Sequence, residues 1–197
     1  MSDLTKLFAP KDFFIDKPTS TTSDYYLSGE ILAAEEYIEW FELIRSAGEN
    51  ETVVLHINSP GGDLYTAIQF IRVMQECRGH IIASVEGACM SAATIIFLQA
   101  HEFMISNYSS FMFHNYSGGT MGKGGEMVDQ IVFEKKWSEE IFKGVYHDFL
   151  TEKEIESMLD GKDIWMSGEE VAERLTNKAN KLIEKPRTTR KKVSNKS

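Results

Sequence analysis

A chain of 197 residues with 42% hydrophobic residues, 26% charged residues and a formal charge of −9 suits one domain with its own core. No apolar run approaches the roughly 18 residues that a bilayer span needs, which excludes a membrane-spanning chain. Cys77 and Cys89 make neither a disulfide framework nor a zinc cluster, and the N-terminus lacks the apolar stretch of a secretory signal, so a cytoplasmic setting is expected.

Residues 1–23 read as a flexible arm or pro-segment, with Pro10, Pro18 and the polar run that ends at Asp24. From Tyr25 the elements alternate. A short strand at 25–27 precedes a helix over 31–47, with Ile31, Tyr37, Phe41 and Ile44 on one face and Gly48 closing it. The β-branched run 52–57 is a strand, and a Ser-Pro-Gly-Gly turn leads to a helix over 64–77. A strand at 80–85 and a helix at 91–99 repeat the pattern, which predicts a right-handed βαβ series on a mainly parallel sheet, an α/β fold. Short strands follow at 103–105 and 111–113, then a long helix over 125–150. Two short helices begin at capping boxes, Thr151 with Glu154 and Ser167 with Glu170. Residues 178–197 hold eight Lys or Arg against the single acid Glu184, a charge of +7 that leaves −16 on the rest. This basic tail could engage nucleic acid or be a solvated, disordered terminus. The acidic body has no basic face for phosphates, so nucleic acid is not the expected partner.

Three segments could carry chemistry. Asn58, Ser59, Pro60, Gly61 and Gly62 stand between strand and helix, where paired glycines either form a plain turn or present N–H groups to a developing negative charge. Ser91, among Ala88, Ala92 and Ala93, enters a helix N-terminus; it is either a cap or a nucleophile favoured by the free N–H groups there. The G-x-S-x-G elbow is absent. His114 ends an apolar strand ahead of Gly118 and Gly119, and alone it would be structural, as His56, His80, His101 and His147 are expected to be.

Taken together and in this order, the segments resemble the ClpP family of self-compartmentalising serine peptidases. The family's Ile-Asn-Ser-Pro-Gly-Gly stands here at 57–62, its small-residue serine segment at 87–93, and its Met-x-His-x-x-x-Gly-Gly at 112–119. Its basic residue and acid stand at Lys162 and Asp163, followed by a hydrophobic pair and an acidic helix start. The resemblance spans about 26–175 and implies a ClpP/crotonase-like repeated βαβ spiral over 24–177, with a protruding strand–helix handle near Gly118–Gly125. It implies a Ser91–His114–Asp163 triad, with the backbone N–H groups of Gly62 and Ala92 as oxyanion hole and no metal or cofactor. Asp160 competes for the acid's place. It further implies polypeptide substrates, heptameric rings stacked into a tetradecamer, and a hexameric AAA+ unfoldase. The family's unfoldase pocket uses aromatic residues on the strand before Asn-Ser-Pro-Gly-Gly. Here the outward positions are Val54 and His56, so docking of a standard unfoldase is not expected. Two alternatives share the motifs in part: a crotonase-type acyl-CoA enzyme and a non-catalytic ring subunit.

Overall fold

The computed structural model describes residues 21–184. The expected arm up to residue 20, and the basic segment from 185 onward, lie outside the described residues.

Among the described residues six strands form one sheet in the order β1-β2-β3-β5-β6, with β4 also on β3. They are β1 (Thr21–Ser28), β2 (Glu51–Ser59), β3 (His80–Met90), β4 (Glu102–Ile105), β5 (Ser110–Phe113) and β6 (Ile164–Ser167). All pairs are parallel except β5–β6. β3 is the hub. Its first half pairs with β4 through Ile82–Val85, and its second half pairs with β5 through Ala88–Met90.

The helices follow from apolar spacing. α1 (Ile38–Ser46), preceded by a 3-10 turn at Ala34–Tyr37, and α2 (Leu64–Glu76) bury Tyr37, Phe41, Ile44, Phe70 and Val73. Their rings cross edge to face, Phe41 on Phe70 at 4.9 Å between centroids, a preferred aromatic arrangement. Asp63 caps α2 by accepting from the Thr66 N–H at 2.7 Å. α3 (Ala92–Phe97) is wholly buried. α4 (Gly124–Tyr146) is buried only toward its C-terminus, at Ser138, Phe142 and Tyr146. α5 (Glu152–Leu159) starts at the expected capping box of Thr151 and Glu154, and α6 (Gly168–Glu184) follows β6 directly.

Several boundaries differ from the sequence reading. β1 begins at Thr21, inside the expected arm, because a polar Thr-Thr-Ser-Asp run can pair with β2 on one side while all four residues remain exposed. Ile31 lies in no helix; its backbone bridges to Gly62 instead. β3 runs five residues beyond Val85, and α3 is six residues long rather than nine. β6 was not foreseen. α6 is a 17-residue helix that continues past Lys178, where the basic tail was expected to begin. Val54, expected to face outward, is 9% exposed, close to the core values of its neighbours. No helix among the described residues is long and apolar enough to cross a membrane.

Candidate active site

Ser91 is the single residue between β3 and α3, and it makes the whole reversal itself, with φ 54° and ψ −128°. It is the only non-glycine residue of positive φ among the described residues. Such a conformation costs about 1–3 kcal/mol and persists only where its surroundings over-determine it. Here the Ser91 N–H donates to the Met112 carbonyl at 2.8 Å. The Ser91 carbonyl accepts from the Thr94 N–H at 2.9 Å and from Thr94 Oγ1 at 2.7 Å. The Thr94 hydroxyl has one proton, spent on that bond, so Tyr146 is left to donate to Thr94 Oγ1, 2.7 Å away. Burial pushes the Tyr146 phenol well above the ordinary tyrosine range, so it stays a neutral donor.

The Ser91 side chain makes no capping hydrogen bond to α3. Its Oγ lies 2.6 Å from His114 Nε2 instead. The cap alternative therefore fails on geometry. The expected strand-to-helix turn is present, although the G-x-S-x-G pattern of the usual elbow is not. Small neighbours permit it: Ala92 and Ala93 are 4% and 0% exposed in the space beside the turn.

Gly61 and Gly62 are required by contact. A Cβ on Gly61 (φ +95°) would lie 2.6 Å from Ser91 Cβ and 2.7 Å from the Met90 carbonyl; one on Gly62 (φ +148°) would lie 2.2 Å from the Ile31 carbonyl. Ile31 holds this loop from both sides, donating to the Gly61 carbonyl at 2.8 Å and accepting from the Asp63 N–H at 2.9 Å. No hydrogen bond among the described residues uses the N–H of Gly62 or of Ala92, and both residues line the cavity that Ser91 and His114 line.

His114 follows β5 directly, and Asp163 precedes β6 directly. The antiparallel register runs from Ser110↔Ser167 to Phe113↔Ile164. One further step sets His114 opposite Asp163, with His114 Nδ1 and Asp163 Oδ1 4.0 Å apart. That separation is too long for a hydrogen bond. Asp160 instead terminates α5 as its C-cap, with no contact to His114. Asn115, which sequence reasoning did not single out, donates to the Leu159 carbonyl at 3.1 Å and accepts from the Tyr116 N–H at 2.9 Å, fixing the loop after His114.

The cavity beside Ser91 has a volume of about 280 Å³. Ile95, Phe142 and Tyr146, each 3% exposed or less, floor it; Tyr65, Glu134 and Trp137 stand at its open side. This volume is at the small end of ligand pockets, which begin at about 300 Å³. Among the described residues no group of three His, Cys, Asp or Glu is arranged to hold a metal ion.

A family model described as Clp protease matches residues 27–174. The chain belongs to the Clp protease family. The family's name marks its members as peptidases, and the mixed α/β sheet described above suits it. The glycine loop, Ser91, His114 and Asp163 all fall within the matched span.

Proposed function

We propose that this Clp protease is a serine endopeptidase, with Ser91 as nucleophile, His114 as general base and Asp163 as the group that orients and stabilises the imidazolium. The observation that carries the reading is the 2.6 Å contact between Ser91 Oγ and His114 Nε2, within reach for proton transfer. Ser91 Oγ attacks the scissile carbonyl as His114 takes its proton, then His114 returns that proton to the leaving amine. The free N–H groups of Gly62 and Ala92 receive the oxyanion. Water then repeats the sequence on the acyl-enzyme. These groups supply every proton and charge the reaction needs, so the reading requires no metal or cofactor. Asp163 must close by about 1 Å to reach hydrogen-bonding distance of His114 Nδ1.

The chamber is part of the same proposal. The N-terminal half of α4 leaves Val128, Ile131, Val132 and Phe133 between 51% and 65% exposed, with Met121 beside it at 98%. Val128, Ile131 and Val132 share one face at i, i+3 and i+4 spacing, and an exposed apolar face of this kind is what a partner surface needs. We assign it to a second copy, in heptameric rings stacked face to face, working in the cytoplasm. On the sheet face, His56 Nε2 and Nδ1 lie 2.9 Å and 2.6 Å from Asp24 and Glu86, and the ring stacks on Tyr26 at 4.5 Å. A polar, acidic spot there disfavours a hydrophobic unfoldase loop, so a standard bacterial unfoldase is not the partner we expect.

The test is a serine-reactive fluorophosphonate probe on the purified protein. Labelling of the wild type and its loss in Ser91→Ala, together with loss of peptide hydrolysis, is the expected result. A folded protein that never labels and cleaves no peptide is a scaffold subunit, and acyl-CoA turnover without labelling is the crotonase alternative. Native mass supplies the second arm: a multiple of seven copies is expected, and a monomer near 22.4 kDa overturns the ring.

A further inference from the structure

The open side of the cavity beside Ser91 carries a charge that its floor does not. Glu134 lines it together with Trp137 and Tyr65, whose rings stack on each other at 5.1 Å between centroids. A carboxylate in that place on a helix otherwise reads as solvated surface, yet its orientation is fixed. The Thr120 hydroxyl donates to Gln130 Oε1. That bond leaves the Gln130 amide protons to point the other way, and Nε2 donates to Glu134 Oε1 at 2.7 Å. Oε2 keeps its full acceptor capacity. No Lys, Arg or His among the described residues lies within ion-pair distance of the carboxylate, although Lys135 and Lys136 follow it directly in sequence. Those two point elsewhere, because residues one or two apart do not share a helix face.

From this arrangement we infer that Glu134 is a specificity-determining residue, and that the site prefers peptides carrying a Lys or Arg side chain beside the apolar residue that fills the floor. The apolar residue packs against Ile95, Phe142 and Tyr146. The neighbouring basic side chain lays its methylenes along Trp137 and Tyr65 and sets its cation against Glu134 Oε2, where ring faces and carboxylate attract it together. The other carboxylate of the lining, Asp63, caps α2, where the positive end of the helix already partners its charge; among the described lining residues Glu134 is the carboxylate without such a partner. This inference rests on the peptidase reading above and names its substrate class.

The test uses matched fluorogenic peptides that share an apolar residue at the cleavage position and differ only at its neighbours, with Lys, norleucine or Glu on either side. The quantity read is the ratio of kcat/KM between charged and neutral peptides. The wild type should favour Lys over norleucine by about threefold to tenfold at low salt, the range of a partly exposed ion pair with an aromatic contribution. The advantage should shrink as salt rises. In Glu134→Gln the ratio should fall toward one, and in Glu134→Lys the preference should pass to the Glu peptide. Persistence of the Lys preference in Glu134→Gln would assign it to the overall acidity of the body and overturn the inference. Equal rates on Lys and norleucine peptides in the wild type overturn it alone, with the peptidase reading intact. No hydrolysis of even the norleucine peptide overturns both.

Discussion

Asp163 faces His114 one register step beyond the last β5–β6 pair, and their side chains stop 4.0 Å apart. The backbone thus aligns the two residues before any side-chain bond joins them. An acid in this position holds the imidazole tautomer and stabilises the imidazolium. Asp163→Asn should lower turnover by roughly 10³- to 10⁴-fold with substrate binding little changed. Asp160→Asn, altering only a helix C-cap, should do far less. Steady-state kinetics on one peptide substrate decides between them, and the reverse ranking would transfer the role to Asp160.

The carbonyl of Ser91 is held by Thr94, and Thr94 by Tyr146. Thr94→Val removes the hydroxyl donor to that carbonyl and leaves only the backbone N–H, at a cost of about 1 kcal/mol, and loosens a backbone conformation that is unfavourable by itself. A tenfold fall in kcat with KM unchanged is the expected outcome, because about 1.4 kcal/mol of misplacement at the nucleophile appears in the barrier. Thr94→Ser, which keeps the hydroxyl, should restore the rate. A fall in thermal stability with kcat intact would mean that the network serves packing alone.

Gly61→Ala tests the close approach of the loop to Ser91. Its methyl would meet Ser91 Cβ and the Met90 carbonyl well inside contact distance, at a φ that L-residues avoid. Destabilisation of about 1–3 kcal/mol and nearly complete loss of probe labelling should appear together. Gly118→Ala, with nothing nearer than 4.0 Å to its Cβ, is the control and should be mild on both counts.

The hydrogen bond to Asp24, and then the contact with Glu86, raise the pKa of His56 above its usual 6.5. For a group raised on folding, the stabilisation is fully present below the unfolded value of about 6.5 and fades as pH rises through the higher folded value. Denaturant melts of the wild type and His56→Gln should therefore differ most near pH 6 and converge in alkaline solution. The gap should be no more than about 1 kcal/mol, since both carboxylates are half exposed. A gap that widens with pH would contradict the two-carboxylate clamp.

Much of the fold was legible because its information is local. The β-branched runs of β2 and β3, the apolar spacing of α1 and α2, and the Thr151 capping box each declare themselves within a dozen residues. β6 did not, since four residues flanked by Asp163 and Gly168 carry too little pattern, although buried Met166 between exposed Trp165 and Ser167 is an alternation. The polar start of β1 was unreadable for the opposite reason: its pairing with β2 runs through the backbone and polar side-chain contacts, so no apolar alternation marks it. At the site, Ser91 and His114 are brought together as the motifs suggested. The strain at Ser91 was hidden because Cys89 and Ala93 stand where the usual elbow has glycines. Glu134 was hidden because a rim carboxylate and a solvated one look alike until the cavity exists.

Ile31 joins two matters that are usually kept apart, how the chain enters the sheet and how the glycine loop is held. Among the described residues β1 is an edge strand, paired on one side only, and Ile31 follows it within three residues while gripping Gly61 and Asp63. Edge elements open at lower free energy than a sheet's centre. Peeling β1 away would slacken the loop against Ser91 while β2, β3 and the helices over them remain folded. Inactivation and unfolding are then separate events, and the molecule can fall silent well before it melts.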